Sequence, residues 1–301
     1  MSGKAPRLAG HDKERDVFGP VNKILPARFR SDMTIIPVVR LHGAIMSGGS
    51  SLRQPLNLAS TAGVLEKAFS IKQAPAVAIS VNSPGGSAVQ SRLIYKRIRD
   101  LATEKNKQVF MFVEDVAASG GYMIACAGDE IVADPSSIVG SIGVVYGAFG
   151  FTEMISKIGI ERRVHTAGRN KVMLDPFQPE KKADVAHLKA LQAEIHETFI
   201  DLVKTSRGGK LADNDDLFTG MFWTGQRGLE LGLVDAIGDM RAFMKDRFGE
   251  KAKLALVSQP RGLFGRRLPH AGSAIDGIGA NIADGLAMTV EERALWAQYG
   301  L

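Results

Sequence analysis

The chain has 301 residues, is 45% hydrophobic and has a mean hydropathy near zero, which suits a globular protein with a sizeable core in one large domain or two small ones. Its formal charge of +6 gathers near the two ends, and no recognition motif or aromatic platform accompanies it, so nucleic-acid binding is not expected. A single cysteine, Cys126, excludes an intramolecular disulfide framework and a cysteine-based metal site, while runs of about 18 apolar residues and an apolar h-region, which would mark a membrane span and a secretory signal, are lacking.

Residues 1–33 read as a basic arm, with seven Lys/Arg against three Asp/Glu in residues 1–30. Thr34 to Leu41 predicts a first strand, His42 to Leu56 a Gly/Ser-rich loop and Ala59 to Ile71 a helix. Ala76 to Val81 is almost purely apolar, as a strand buried on both faces should be. It ends in Asn82-Ser83-Pro84-Gly85-Gly86-Ser87, after which Val89, Leu93, Ile94, Ile98 and Leu101 mark an amphipathic helix. Gln108 to Val113 predicts a third buried strand, with a helix opening after Ser119.

Short strands are expected at Glu130 to Ala133, Ile142 to Ala148 and Arg162 to Thr166, with a brief helix at Met154 to Ile158. A loop carrying Gly168 and Lys171 precedes the longest predicted helix, Pro179 to Ser206. Its stripe is Val185, Leu188, Leu191, Ile195, Phe199 and Leu202. A strand or turn with a small helix (218–231), a short apolar run (233–237), a helix (240–248) and a last strand (254–258) complete a domain over residues 34–258. Strand and helix alternating at short spacing argue for βαβ units around a mainly parallel sheet, an α/β fold. In the tail, 259–301, Arg261, Arg266 and Arg267 form a second basic knot. Attraction to anionic lipid is one reading of the two basic ends, and a solvated surface is the other. Thr289 with Glu292 makes a capping box for a short helix that puts Leu295, Trp296 and Tyr299 together.

The chemistry concentrates at two glycine turns, Pro84-Gly85-Gly86 and Ser119-Gly120-Gly121, each at the carboxyl end of a predicted strand, the edge where open α/β sheets bind ligands. A serine on a tight strand-to-helix turn presents its hydroxyl beside unpaired helix N–H groups, the layout of a nucleophile with an oxyanion hole. The same pattern suits a serine that merely caps a helix. Neither turn matches a phosphate loop. The nucleophile needs a base: His11, His42, His165, His187, His196 and His270 are candidates without a setting that fixes any of them. Lys171, between Gly-Arg-Asn and Val172-Met173-Leu174, is another, since burial lets a lysine act as a base.

Taken together, Asn82-Ser83-Pro84-Gly85-Gly86, Asp115 through Ser119 to Tyr122, Ala133 to Val144, and Gly168 to Lys171 followed by Asp175-Pro176-Phe177 resemble the signal peptide peptidase A family, serine peptidases of the S49 type. The resemblance runs from about Thr34 to Phe248 and implies a crotonase-like (Clp-protease-like) fold. It further implies a Ser/Lys dyad of Ser119 and Lys171, oxyanion donors at Gly86 and Gly120, and substrate contacts at Gly85 and Tyr122, with no metal and no cofactor. The expected substrates are extended apolar-rich peptides, such as signal-peptide remnants. The expected partners are further copies of the chain and, peripherally, an anionic membrane, with a cytoplasmic location. Two other readings remain: a catalytically silent peptide-binding scaffold of the same fold, and an acyl-CoA hydratase or isomerase. The last needs paired glutamates, which neither turn supplies.

Overall fold

The structure, a computed structural model, describes residues 33–48, 55–258, 290 and 292–301. The expectations placed on the basic arm, on the knot at Arg261 to Arg267, on His11, on His270 and on Thr289 lie outside these residues. A mainly parallel sheet organises the rest. Strand β1 (Ile35–His42) leads through helix α1 (Leu58–Phe69) to β2 (Ala76–Ser83), and α2 (Ala88–Lys105) leads to β3 (Gln108–Ala118). After α3 (Gly120–Ala125) come β4 (Glu130–Ala133) and β5 (Ile138–Gly140). Helices α4 (Thr152–Lys157) and α5 (Lys182–Arg207), then β6 (Phe222–Thr224), α6 (Gly225–Glu230), β7 (Ala236–Ile237), α7 (Met240–Phe248) and β8 (Lys253–Leu256), follow. The sheet runs β6-β5-β3-β2-β1-β8, with β4 joined to β3 and β7, and every pairing is parallel except β5 with β6.

β2 is buried along its length apart from Asn82, because both sheet faces are covered there. On one face Val77, Ile79, Val81, Val109 and Met111 meet Leu65 and Phe69 of α1, Ile94 and Ile98 of α2 and Ile124 of α3. On the other, Phe110 and Phe112 meet Phe243 of α7 at ring-centroid distances of 5.9 and 5.8 Å. β3 is five residues longer than its apolar run, and it changes partner midway. Phe110–Val113 pairs with β4, whereas Val116–Ala118 pairs with β5. The switch falls at Glu114-Asp115, opposite a register shift between Val81 and Ser83 of β2. The Asn82 side chain fixes it, accepting from Val116 N–H (3.2 Å) and donating to Asp115 Oδ2 (2.6 Å).

Two predicted strands are not formed. Residues 142–148 and 162–166 lie in irregular backbone, and nearly every residue from 145 to 171 is exposed. Ile142 packs into the core, but the apolar side chains beyond it that read as strand signals find no face of the sheet to cover. The stripe of α5 is likewise only partly used: Phe199 is buried, with Val203 outside the stripe buried beside it, whereas Leu191 and Ile195 stand 43 and 42% exposed. The amino-terminal half of α5 and residues 145–171 thus form an arm away from the core.

The other end of α5 is pinned. Arg207, its guanidinium 1% exposed, makes paired bonds to Asp235 (2.8 and 2.9 Å) and donates from Nε to Gly232 O (2.9 Å). Lys210 Nζ (2.7 Å) and the Ile131 N–H (2.8 Å) complete the carboxylate's shell. Beside it Cys126 is a core residue, its thiol pushed up to about 12 by burial. Burial alone would raise the Asp235 pKa, but the hydrogen bonds from Arg207 and Lys210 hold it below the usual carboxylate range. A depressed carboxyl contributes stability that is present above its unfolded pKa and lost as pH falls through the folded one. Asp235→Asn, which strands a buried guanidinium, should cost about 3–5 kcal/mol in urea unfolding at pH 7. That difference should shrink below about pH 4, as the wild-type carboxyl also protonates.

Candidate active site

Ser119 joins β3 to α3 at φ +51°, ψ −122°, a backbone state that costs a non-glycine residue energy and recurs at strained nucleophile turns. Its N–H donates to Gly140 O (2.9 Å) and its carbonyl accepts from Met123 N–H (3.0 Å), so neighbours on both sides hold the strained turn. It occupies the N-cap position of α3, yet its side chain makes no capping bond. The helix-cap reading of this serine is therefore overturned. Among the described residues the half-buried hydroxyl has no hydrogen-bond partner.

The two glycine turns interlock. A Cβ on Gly85 (φ +102°) would lie 2.8 Å from Ala118 O, Ser119 Cβ and Gly120 N. One on Gly86 would overlap Ile45 O, one on Gly120 would overlap Ser91 Oγ, and one on Gly121 would overlap Ser83 O. Glycine is required at Gly85, Gly86 and Gly121 because a neighbouring backbone lies at contact distance, and at Gly120 because the Ser91 hydroxyl does. Ile45 N–H donates to Gly85 O (2.8 Å) and Ser87 N–H to Ile45 O (2.7 Å), which stitches the first turn to the segment after β1. Among the described residues the Gly86 and Gly120 N–H groups have no acceptor. Tyr122, expected to touch substrate, is fully buried and donates its hydroxyl to Leu233 O (2.8 Å). Its side chain anchors α3 to the core and does not face a cleft.

Lys171 is placed otherwise. It is exposed on the arm, its N–H donating to Gly168 O (3.2 Å), and the structure does not bring its ammonium into contact with Ser119. Of the histidines, His165 and His187 are exposed, and His196 Nε2 is bonded to Ile142 O (2.9 Å). His42 Nε2 is bonded to Ser80 Oγ (2.8 Å) and lies 3.4 Å from Glu114. None of these four contacts Ser119. Ser91, which supports the first turn through its bond to Ser87 O (2.8 Å), had no signal in the sequence, whereas Asn82 stood in the Asn82-Ser83-Pro84-Gly85-Gly86 motif without a role.

The carboxyl-terminal segment reaches this neighbourhood. Residues 292–297 are helical, and Leu295, Trp296 and Tyr299 are half-buried, the face that the spacing predicts. Tyr299 OH meets Ser141 Oγ at 3.2 Å, and its ring stands edge-on to Phe222 at 5.1 Å. Ser141 follows Gly140, the residue that accepts the Ser119 N–H. At the segment's other end, Glu292 Oε1 is 3.8 Å from where a Gly43 Cβ would be, and the Gly43 N–H donates to Asn82 O (2.9 Å).

The model of peptidase family S49 matches residues 102–254. The chain is 64% identical over 288 residues to a protein of Brucella abortus named Na(+)/H(+) antiporter NhaA, covering 94% of this chain and 39% of that protein. It is 30% identical over 254 residues to the chloroplastic serine protease SPPA of Arabidopsis thaliana, covering 81% of this chain and 37% of that one. It is 33% identical over 238 residues to protease 4 of Salmonella typhi, covering 74 and 35%. The chain thus spans less than two fifths to about two fifths of these relatives.

The interlock makes a graded expectation. Gly85→Ala should lower stability by about 1–3 kcal/mol in urea unfolding, because both the positive φ and the space oppose a side chain. Gly63→Ala in α1, where a Cβ meets nothing within 4 Å, should instead raise it by about 0.5–1 kcal/mol.

Proposed function

The chain belongs to peptidase family S49, and on that premise we propose that it is a serine endopeptidase in which Ser119 is the nucleophile and Lys171 the general base. The observation that carries the reading is the strained, uncapped Ser119 set between two glycine turns whose Gly86 and Gly120 N–H groups lack acceptors among the described residues. In this reading neutral Lys171 takes the Ser119 proton as Oγ adds to the scissile carbonyl, and the two N–H groups hold the oxyanion. Collapse transfers the proton to the leaving amine and leaves an acyl-serine. Water, deprotonated by the same lysine, then releases the acid and restores the hydroxyl. Gly85, expected to meet substrate, is buried against the Ser119 turn, and the part of the first turn left open to an extended peptide in this reading is Gly86. Apolar-rich segments such as signal-peptide remnants are the proposed substrates.

The antiporter name stays with the longer Brucella protein. The S49 match falls within the stretch the two chains share, and no helix among the described residues is long and apolar enough to cross a membrane. A cytoplasmic location with peripheral contact to an anionic inner membrane is part of the proposal, suggested by the basic residues near both ends.

The working form proposed is a homo-oligomer. Val145 and Phe149 are 79 and 78% exposed on the arm that carries Lys171, with Ile158 and Ile160 beside them in sequence, an apolar area that a second copy would cover. Covering it would take the Lys171 ammonium out of water and favour the neutral form a base requires. The lysine of one copy would then serve the serine of another. The carboxyl-terminal segment is proposed to restrict the site, since Tyr299 rests on Ser141 and Phe222 beside the Ser119 turn.

Ser119→Ala and Lys171→Ala should each fold yet lose peptidase activity by several orders of magnitude, and Lys171→Arg should be equally inactive, since a guanidinium cannot give up its proton. Mixing the two alanine variants under subunit exchange should restore part of the activity. Retention within about tenfold in Ser119→Ala would remove it from the mechanism, and favour the silent scaffold or another nucleophile. Removing residues 290–301 should speed cleavage of a small peptide in detergent-free buffer and leave binding to anionic vesicles unchanged. The reverse pattern would assign the segment to a membrane surface.

A further inference from the structure

Asp175-Pro176-Phe177 follows Lys171 and has no part in the chemistry above, yet Asp175 is the most deeply buried carboxylate of the arm. Its side chain is 2% exposed, and Oδ2 has no hydrogen-bond donor among the described residues. What stands against it is a charge: Arg162 Nη2 lies 3.1 Å away as an ion pair, with the Arg162 side chain 38% exposed. The same guanidinium lies 4.6 Å from the Phe177 ring centroid. Asp175 Oδ1 accepts from Phe177 N–H (3.0 Å), and Pro176 O accepts from Phe151 N–H (2.6 Å), with the two phenyl rings 5.6 Å apart.

Arg162 and Asp175 bracket the loop of residues 163–174, so their pairing closes that loop at its base. Lys171 lies four residues before Asp175. Between them the Leu174 N–H donates to Asp184 Oδ2 (3.2 Å) in the first turn of α5, with Leu174 held at φ +55°. The loop offers no buried apolar residue to hold it. A buried carboxylate that loses its cation is left uncompensated, so the pair resists opening. We propose that Arg162 and Asp175 are positioning residues for Lys171, an ionic clasp that fixes the loop's base so that the ammonium is delivered at a set place. The proposal rests on the reading of Lys171 as the general base. A shift of about 1 Å in a catalytic group can cost about a hundredfold in rate, so loosening the clasp acts on turnover more than on binding.

The test compares Asp175→Asn, Arg162→Gln and Arg162→Lys in the full chain, with Lys171→Ala in parallel and a small chromogenic peptide as substrate. The clasp predicts that Asp175→Asn and Arg162→Gln lower kcat about tenfold or more, with KM within about threefold of wild type. Arg162→Lys, which keeps the cation, should stay within about threefold in kcat. Placed in the Lys171→Ala background, Arg162→Gln should lower the residual rate no further, because there is no base left to position. Unchanged kcat in Arg162→Gln, a rise in KM with kcat kept, or the same loss with and without Lys171 would each overturn the clasp. Should Asp175→Asn not fold, Arg162→Gln, on the more exposed partner, carries the test alone. A fully active Lys171→Ala would sink the base reading and this proposal with it, whereas an inactive Lys171→Ala beside a wild-type Arg162→Gln sinks the clasp only.

Discussion

The site depends on the close approach of two glycine turns. Gly85 packs against Ala118, Ser119 and Gly120 with no room for a Cβ, and Gly121 lies against the Ser83 carbonyl in the same way. This contact joins the ends of β2 and β3, whose lower halves pair in a plain parallel register and whose upper halves are shifted. The shift turns the end of β3 away from β4 and onto β5, so that Gly140 O meets the Ser119 N–H. The strain at Ser119 is tolerable because backbone bonds on either side define its place. A methyl group at any of these glycines would separate the turns and release it.

Beneath the turns the structure spends its buried polar groups on anchoring. Tyr122 fixes α3 through its bond to Leu233 O, and Ser206 Oγ donates to Cys126 O (2.6 Å), which ties the end of α5 to the end of α3. Arg207 and Asp235 then lock α5 to the segment before β7. A buried ion pair is weak evidence of net stability, since desolvation offsets much of the attraction, but breaking one half of it is costly. Its effect here is to hold the floor of α3 in one place.

Much of the fold was legible in the sequence, because most elements bury a face and burial imposes a period. Ala76–Ser83, Leu58–Phe69 and Met240–Phe248 were readable within a residue or two. The second half of β3 was not, since Glu114-Asp115 interrupts the apolar run at the point where the strand changes partner. The segments 142–148 and 162–166 misled for the opposite reason: apart from the buried Ile142, their apolar residues imitate strands but are largely exposed in a single chain. At the site, the serine and the glycines were visible as motifs, while the contact between Gly85 and Ser119 joins residues 34 apart and leaves no local trace. Tyr122 misled because its position beside the glycines suggests a pocket wall, whereas the first turn of α3 directs it into the core.

The two halves of the proposed dyad are held by different physics. Ser119 sits on a sheet edge whose neighbours are buried, so its place follows from packing. Lys171 sits on an arm without a core, where Val145, Phe149 and Ile158 are largely exposed. Burying a side chain of that size contributes about 1.5–3 kcal/mol, so an arm left bare is a reservoir of association energy. Before that energy is drawn on, the arm is shaped by local contacts, among them Arg162 with Asp175 and Phe177, the Phe151–Phe177 ring pair and the Leu174 N–H to Asp184. In the proposed reading, a nucleophile fixed by folding and a base fixed by a local clasp on an apolar arm would make catalysis conditional on contact between copies. On that proposal a lone chain would carry a formed serine turn and an unused lysine, which is a physical way to hold a peptidase inactive until it assembles.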